Sequence, residues 1–421
     1  MKPEDMVAKQ TKILEASSIE IKKISEEIHE KLIKVRRRFH KHPELGMDTY
    51  KTAEYIMNYL KQLNIEVTHI ANRSGVIGLI RGKKQIDPDN NEIEKTIALR
   101  ADIDALSVFE ENQCNYKSEI PGVMHACGHD FHTTCLLGAA ETLNRLKDSF
   151  SGNIKLLFQP GEESLGGAAT MLEEGALNNP DVSVCAALHA WPDIPVGKVA
   201  VKYGAAFSAI ENFKITVTGK GGHGAVPHKT VDPIVIGCNI VNALQTIVSR
   251  EVDSFEPAIV SICSFNAGTS VNIIPDISVI GGTIRTFDTN LKKFIEKTIF
   301  NISEGIAKAM GAGIQIEFTN DSPPVINDEK ITKLFISSAS RMIGEDNVII
   351  SDRPSMVSED FALIAEKVPS VYFWLGCRNE EKGIINPLHS SKFQGDEDCI
   401  KVGTAVFAQF ALDYLNQNYI K

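Results

Sequence analysis

Two short stretches carry most of the residue types that do chemistry. Met124-His-Ala-Cys-Gly-His-Asp130 sets a thiol and two imidazoles close together. Cys127 and His129 can face one divalent ion, and Gly128 between them permits a tight backbone path. Sulfur and imidazole together suit zinc and other transition metals. A buried cysteine beside a helix start is the competing reading. His125 and His132 fit a helix end or a place behind a ligand. Gln159-Pro-Gly-Glu-Glu163 leaves a strand on two adjacent acids. Neighbouring side chains diverge, so one carboxylate can hold a metal while the other takes a proton from water. A solvated turn is the plain alternative. His189 follows an apolar run, and His389 sits in the polar segment Asn386-Pro-Leu-His-Ser-Ser. For these two, a core-edge histidine and a loop histidine are the ordinary alternatives.

Other motifs exclude more than they assign. Gly219–His228 is rich in glycine, but it holds no GxGxxG and does not end as a P-loop. A loop of this kind can carry His223 toward a substrate. No Gly-x-Ser-x-Gly elbow occurs, so a serine hydrolase has little support.

These residues need elements to hold them. Apolar spacing through Val7, Ile13, Ile19, Ile24, Ile28, Leu32 and Val35 predicts a helix over 5–38, and a second helix follows over 50–64. Strands are expected at 65–68, 75–80, 96–100, 154–158 and 182–188, with a helix over 131–147. Residues 83–93 read as an exposed polar loop. Strands alternating with helices indicate an α/β layer fold, in which ligands gather at strand carboxyl ends. The polar clusters 100–104, 159–163 and 189 all fall at expected strand ends. The middle of the chain reads as strand 207–218, helix 233–249, strands 258–265 and 277–285, helix 291–310 and strand 313–319. That β-α-β-β-α-β order is ferredoxin-like. Asp321-Ser-Pro-Pro reads as the linker back, so a smaller domain over 208–322 interrupts a main domain.

The chain has 421 residues, of which 43% are hydrophobic and 23% charged, an ordinary soluble mixture. Its 54 acids against 44 bases give a formal charge of −10, which speaks against a nucleic-acid partner. No membrane span is expected. The charged start is followed by no apolar signal-peptide core, so a cytoplasmic chain is expected. The eight cysteines are scattered without a CxxC pair and read mostly as small buried side chains.

Taken in order, the stretches Arg37–Gly46, Arg100–Leu106, Met124–His132, Phe158–Glu163 and Leu188–Pro192 resemble the M20 family of metallopeptidases. Gly221–His228, Asn266–Pro275, Ser358–Phe361 and His389 continue the resemblance over nearly the whole chain. The matching branch is that of aminoacylases and amidohydrolases, including N-acyl-amino-acid, hippurate and auxin-conjugate hydrolases. The resemblance implies a three-layer α/β/α metal-binding domain, residues 1–207 and 323–421. It makes the inserted α+β domain, 208–322, a lid and dimerisation domain. It implies two divalent ions bridged by Cys127 and completed by His129, Glu163, His189 and His389. Manganese, zinc, nickel and cobalt are all compatible with such donors. Glu162 is implied as the general base. His223 is implied to polarise the scissile carbonyl across a homodimer, with Asn272 and Arg285 on the substrate's carbonyl or carboxylate. The implied reaction releases a carboxylic acid and a free amino acid from an N-acyl amino acid. Dipeptidase or carboxypeptidase action on the same fold is the alternative. The sequence departs from the family's usual pattern at Gly161, where alanine is frequent, and at Phe131, where glycine is common. Phe131 either narrows the pocket or packs beneath it. Ser107 stands where proline is usual, and the 83–93 stretch is longer than the usual turn.

Overall fold

Apolar residues at Ile21, Ile24, Ile28, Leu32, Val35 and Phe39 recur every three or four positions and are all buried along one stripe of α1 (Pro3–Lys41). The stripe begins at Ile21. Ile19, expected inside, is 68% exposed because it projects from the opposite face. In this computed structural model the described residues are 3–84, 94–164 and 166–416, and side chains are described among these from residue 16 onward, Asn320 excepted. Val7 and Ile13, and most of the expected 83–93 loop, lie outside what is described.

Contacts divide the chain into two units. The first comprises Met1–Ala206, Ile326–Arg353 and Leu363–Lys421. After α1, Glu44 caps α2 (Tyr50–Gln62), its carboxylate accepting the Thr52 N–H and hydroxyl at 2.8 Å. Strands β1 (Glu66–Ile70), β2 (Gly75–Arg81), β3 (Thr96–Asp102), β4 (Asn153–Gln159) and β5 (Val184–Pro195) form most of an eight-stranded sheet. The order is β1-β2-β4-β3-β5, continued by Ser370–Arg378, Val199–Val201 and Val348–Ile350. β3 runs parallel to both β4 and β5, and every residue of β3 and β4 is buried. Strands buried along their whole length are those of a sheet covered by helices. Against this sheet pack α3 (His129–Arg145) and the helix Cys399–Asn416, and α1 packs on those two helices. The register pairs Asp102 with Gln159, so the β3 and β4 carboxyl ends open side by side. Among the described residues no helix is long and apolar enough to cross a membrane.

The second unit comprises Phe207–Val325 and Pro354–Ala362. Its four-stranded sheet runs Ala258–Ala267, Ile277–Thr286, Ala209–Thr218, Gly313–Ser322, with every neighbour antiparallel. Helices Pro233–Leu244 and Thr289–Ala309 bury Ile236, Ile240, Ile295 and Ile299 against Phe213, Ile215, Ile280 and Ile284. Asp232 and Asp288 cap these helices with their side chains. The first helix ends at Leu244, before a π turn at Ile247–Glu251. The strand Gly313–Ser322 runs through the start of the expected linker. Pro354–Ala362 joins this unit through backbone: the Ser208 N–H meets the Ser355 and Val357 carbonyls at 3.1 Å.

Candidate metal centre

The first donors are placed by a helix start. Gly128 caps α3 at φ 87, a left-handed conformation that glycine adopts without strain, and a Cβ there would press on Ala190 at 3.2 Å. The turn leaves Cys127 just before the helix and His129 in its first turn. His189 lies inside β5, not at a strand end, because Ser370–Arg378 pairs with β5 from Cys185 to Pro195. Its Nδ1 donates to the Ala190 carbonyl at 2.8 Å. A carbonyl can only accept, so Nε2 keeps its lone pair, and that atom lies 3.4 Å from Cys127 Sγ. His389 Nε2 lies 3.3 Å from the same sulfur. His389 holds φ 63, a strained conformation for a non-glycine residue, and its N–H is tied to the Ala126 carbonyl at 2.8 Å.

The acids arrive from the turn after β4. Glu163 Oε1 is 3.5 Å from His389 Nε2 and 3.8 Å from His129 Nε2. Glu162 Oε2 is 3.9 Å from His129 Nε2. Cys127 belongs to two compact donor triplets, with His129 and His189 and with Glu163 and His389. His129, Glu162 and Glu163 form a third. Cys127, His129, Glu162, Glu163, His189 and His389 therefore converge, and the sulfur belongs to two of the five such groups among the described residues.

The donors fit metal ions. Both ring nitrogens of His129 and Oε1 of Glu163 are buried without a well-aligned hydrogen bond, a costly state unless something else satisfies them. Burial would lower the His129 pKa, yet the Asp102, Asp104 and Glu163 carboxylates raise it to about 10. The position thus favours positive charge. Burial, then the Glu163 and Glu162 charges, hold the Cys127 thiol well above its usual range. A thiolate there calls for a cation close by. Burial opposes ionisation of Glu163, but His389 and His129 outweigh it and lower its pKa.

Supporting residues surround these donors. His132 Nδ1 sits 2.5 Å from Asp102 Oδ1, and its Nε2 accepts the Ala190 N–H at 2.7 Å. With both nitrogens engaged, His132 is a strut between β3 and β5. His125 is buried, and burial lowers its pKa to about 3. Phe131 packs beneath the helix start, with the Arg36 guanidinium 4.2 Å over its ring. Asp102 and Asp104 were not singled out from the sequence as site residues, although two acids ending an apolar strand were the available signal. Burial raises the Asp102 pKa, but His129, His132 and Arg100 override it and hold it well below the carboxylate range. Burial raises that of Asp104.

The remaining expected residues lie in the second unit. His223 is exposed on a two-stranded ribbon in which Gly222–His223 pairs with Ile273–Ile274. No sequence period announces so short a pair. His223 Nδ1 accepts the Ala225 N–H at 3.0 Å, which puts the ring proton on Nε2. Asn272 adjoins it, its carbonyl accepting the Gly224 N–H at 2.9 Å. Arg285 Nη1 donates to Ser358 Oγ at 3.0 Å. Among the described residues no carboxylate pairs with Arg285, and burial lowers its pKa.

Comparison with known proteins agrees with this geometry. Residues 98–413 match peptidase family M20/M25/M40. A thermostable carboxypeptidase of Saccharolobus solfataricus is 39% identical over 93% of this chain and 97% of its own length. An N-acetylcysteine deacetylase of Bacillus subtilis is 36% identical over 91% of this chain and 97% of its own. The crystal structure of a Bacillus subtilis dinuclear metal-binding M20 peptidase superposes with a TM-score of 0.80 at 33% identity, covering 93% of this chain and 99% of that one. By sequence and by fold, the chain belongs to peptidase family M20/M25/M40.

Proposed function

We propose that this chain hydrolyses the amide bond of N-acyl amino acids, using two divalent ions held by Cys127, His129, Glu163, His189 and His389. The observation that carries the reading is the shared sulfur, with Cys127 common to two donor triplets while a further acid, Glu162, stands beside them. Such ions, when bound, act as Lewis acids on the amide carbonyl and make the attacking water more acidic. Glu162 takes the proton from that water and delivers it to the leaving amine nitrogen. Glu163 stands on the Cys127 side, in one donor triplet with Cys127 and His389. In a homodimer, the Nε2–H of His223 would stabilise negative charge on the carbonyl oxygen. Asn272 would act beside it. Arg285, without a carboxylate of its own, would receive the carboxylate of the released amino acid.

Zinc, manganese, nickel and cobalt all suit a mixed sulfur, nitrogen and oxygen set. A reducing compartment such as the cytoplasm accords with eight free cysteines, two of them exposed. Dipeptidase or carboxypeptidase action is the second reading, favoured by the carboxypeptidase name of the Saccharolobus relative.

The test is a panel of N-acetyl and N-benzoyl amino acids beside free dipeptides. Metal-stripped protein is assayed after each metal is restored in turn. The highest kcat/KM is expected on an N-acyl amino acid. A preference for dipeptides would turn the assignment to the second reading, and no amide cleavage with any metal would overturn both.

A further inference from the structure

One carboxylate ties the two catalytic turns together. Asp104 is fully buried two residues beyond β3. Its Oδ1 accepts the backbone N–H of Glu162 and its Oδ2 that of Glu163, each at 3.2 Å. Oδ1 also lies 3.4 Å from His129 Nδ1. The backbone is pinned on both sides of this clasp. Ile103 N–H donates to the Gln159 carbonyl at 2.9 Å, and Gly161 N–H to the Gly46 carbonyl at 3.0 Å.

Two consecutive amides aimed at one carboxylate fix the peptide plane between them. That plane decides where the adjacent side chains leave the backbone. A charged acceptor makes both bonds stronger than neutral ones. A base and a ligand on neighbouring residues need such control, because small misplacements of a reacting group are expensive in rate.

We propose that Asp104 is a positioning residue that holds Glu162 in place as the base and Glu163 in place as the ligand. The assignment rests on the hydrolase reading above. Asp104 acts through the turn and touches no reacting atom.

Asp104→Asn keeps the shape but replaces one acceptor oxygen with a donor, so one of the two amides loses its partner. It should lower kcat on the order of 10²-fold while KM moves less than about threefold. In a Glu162→Gln background the same substitution should cost less than about threefold more, because the base it positions is already gone. A merely structural residue would instead lower activity by the same factor in both backgrounds. A second readout needs no turnover: zinc affinity measured by competition with a chromophoric chelator. Asp104→Asn should weaken it by roughly 10-fold, through Glu163. Multiplying losses in the double variant together with unchanged zinc affinity would overturn the proposal. Should the parent cleave no amide, the hydrolase reading fails, and the zinc competition alone decides Asp104, with unchanged affinity overturning it. Should Asp104→Asn not fold, Asp104→Glu is read by the same arms, since it displaces both oxygens by one methylene and keeps the charge.

Discussion

The Cys127 centre and the His223 ribbon contain the same kinds of side chain in opposite settings. In the first unit, Cys127, His129, Glu162 and His189 are buried, with the Ala190 carbonyl on His189 and the Asp104 carboxylate beside His129. In the second, His223 is exposed on a strand pair of two residues each, and among the described residues its ring accepts a backbone N–H two residues away. The first arrangement is preorganised for binding cations and moving protons. The second displays a donor to whatever approaches. Substitutions in the first region should therefore act on metal and on the chemical step, and substitutions in the second on the step alone.

The sharpest break in that comparison lies within the first region. Glu162→Gln should keep its metal and lose ~10²–10⁴ in kcat, the usual cost of losing a general base. Glu163→Gln should lose metal affinity by more than the ~10–100-fold that follows loss of a group behind a ligand. Elemental analysis beside turnover separates the two, and equal metal loss in both variants would erase the division of labour.

The ribbon gives the next effect. His223→Ala should lower kcat by ~10²–10³, as removal of an oxyanion donor does, with metal content unchanged. If His223 serves a partner's site, sedimentation should report twice the chain mass of 46.2 kDa. A fully active monomer would remove the need for His223 from a partner.

The smallest effect tests the second unit's own stability. Burial and the neighbouring Glu296 push the Glu211 carboxyl from 4.5 up to about 8, against the pull of Lys292 3.7 Å away. Asp321, also paired with Lys292, adds to the upward push. The folded state then keeps a proton that the unfolded chain has released, so stability falls as pH rises from about 4.5 to about 8. Glu211→Gln removes this cost. Its melting temperature should exceed the parent's by a margin that grows across that range, and a constant margin would contradict the assignment.

What the sequence disclosed follows the same contrast. Cysteine, histidine and paired acids are conspicuous beside apolar strands, so the centre was legible before any coordinates. The strands expected at 96–100 and 154–158 extend to Asp102 and Gln159, so the polar clusters that follow them were legible as strand ends to within two residues. His189 was misplaced to a strand end because the partner that extends β5, Ser370–Arg378, is remote in sequence. Asp104 was read only as part of a motif, since an acid that accepts backbone amides looks like any other acid. Gly161 reads only as a departure from a usual alanine, and it holds φ 65, with the Met47 sulfur 2.5 Å from where a Cβ would stand. Neither fact has a signature in residue type.

On this reading Cys127, His129, Glu163, His189 and His389 form a two-ion catalytic centre. The most direct test titrates metal-stripped protein with zinc or manganese while following hydrolysis of an N-acyl amino acid. Turnover should be absent at the start, rise with added metal and level off at two ions per chain. Full turnover in protein verified to be free of metal would contradict the account.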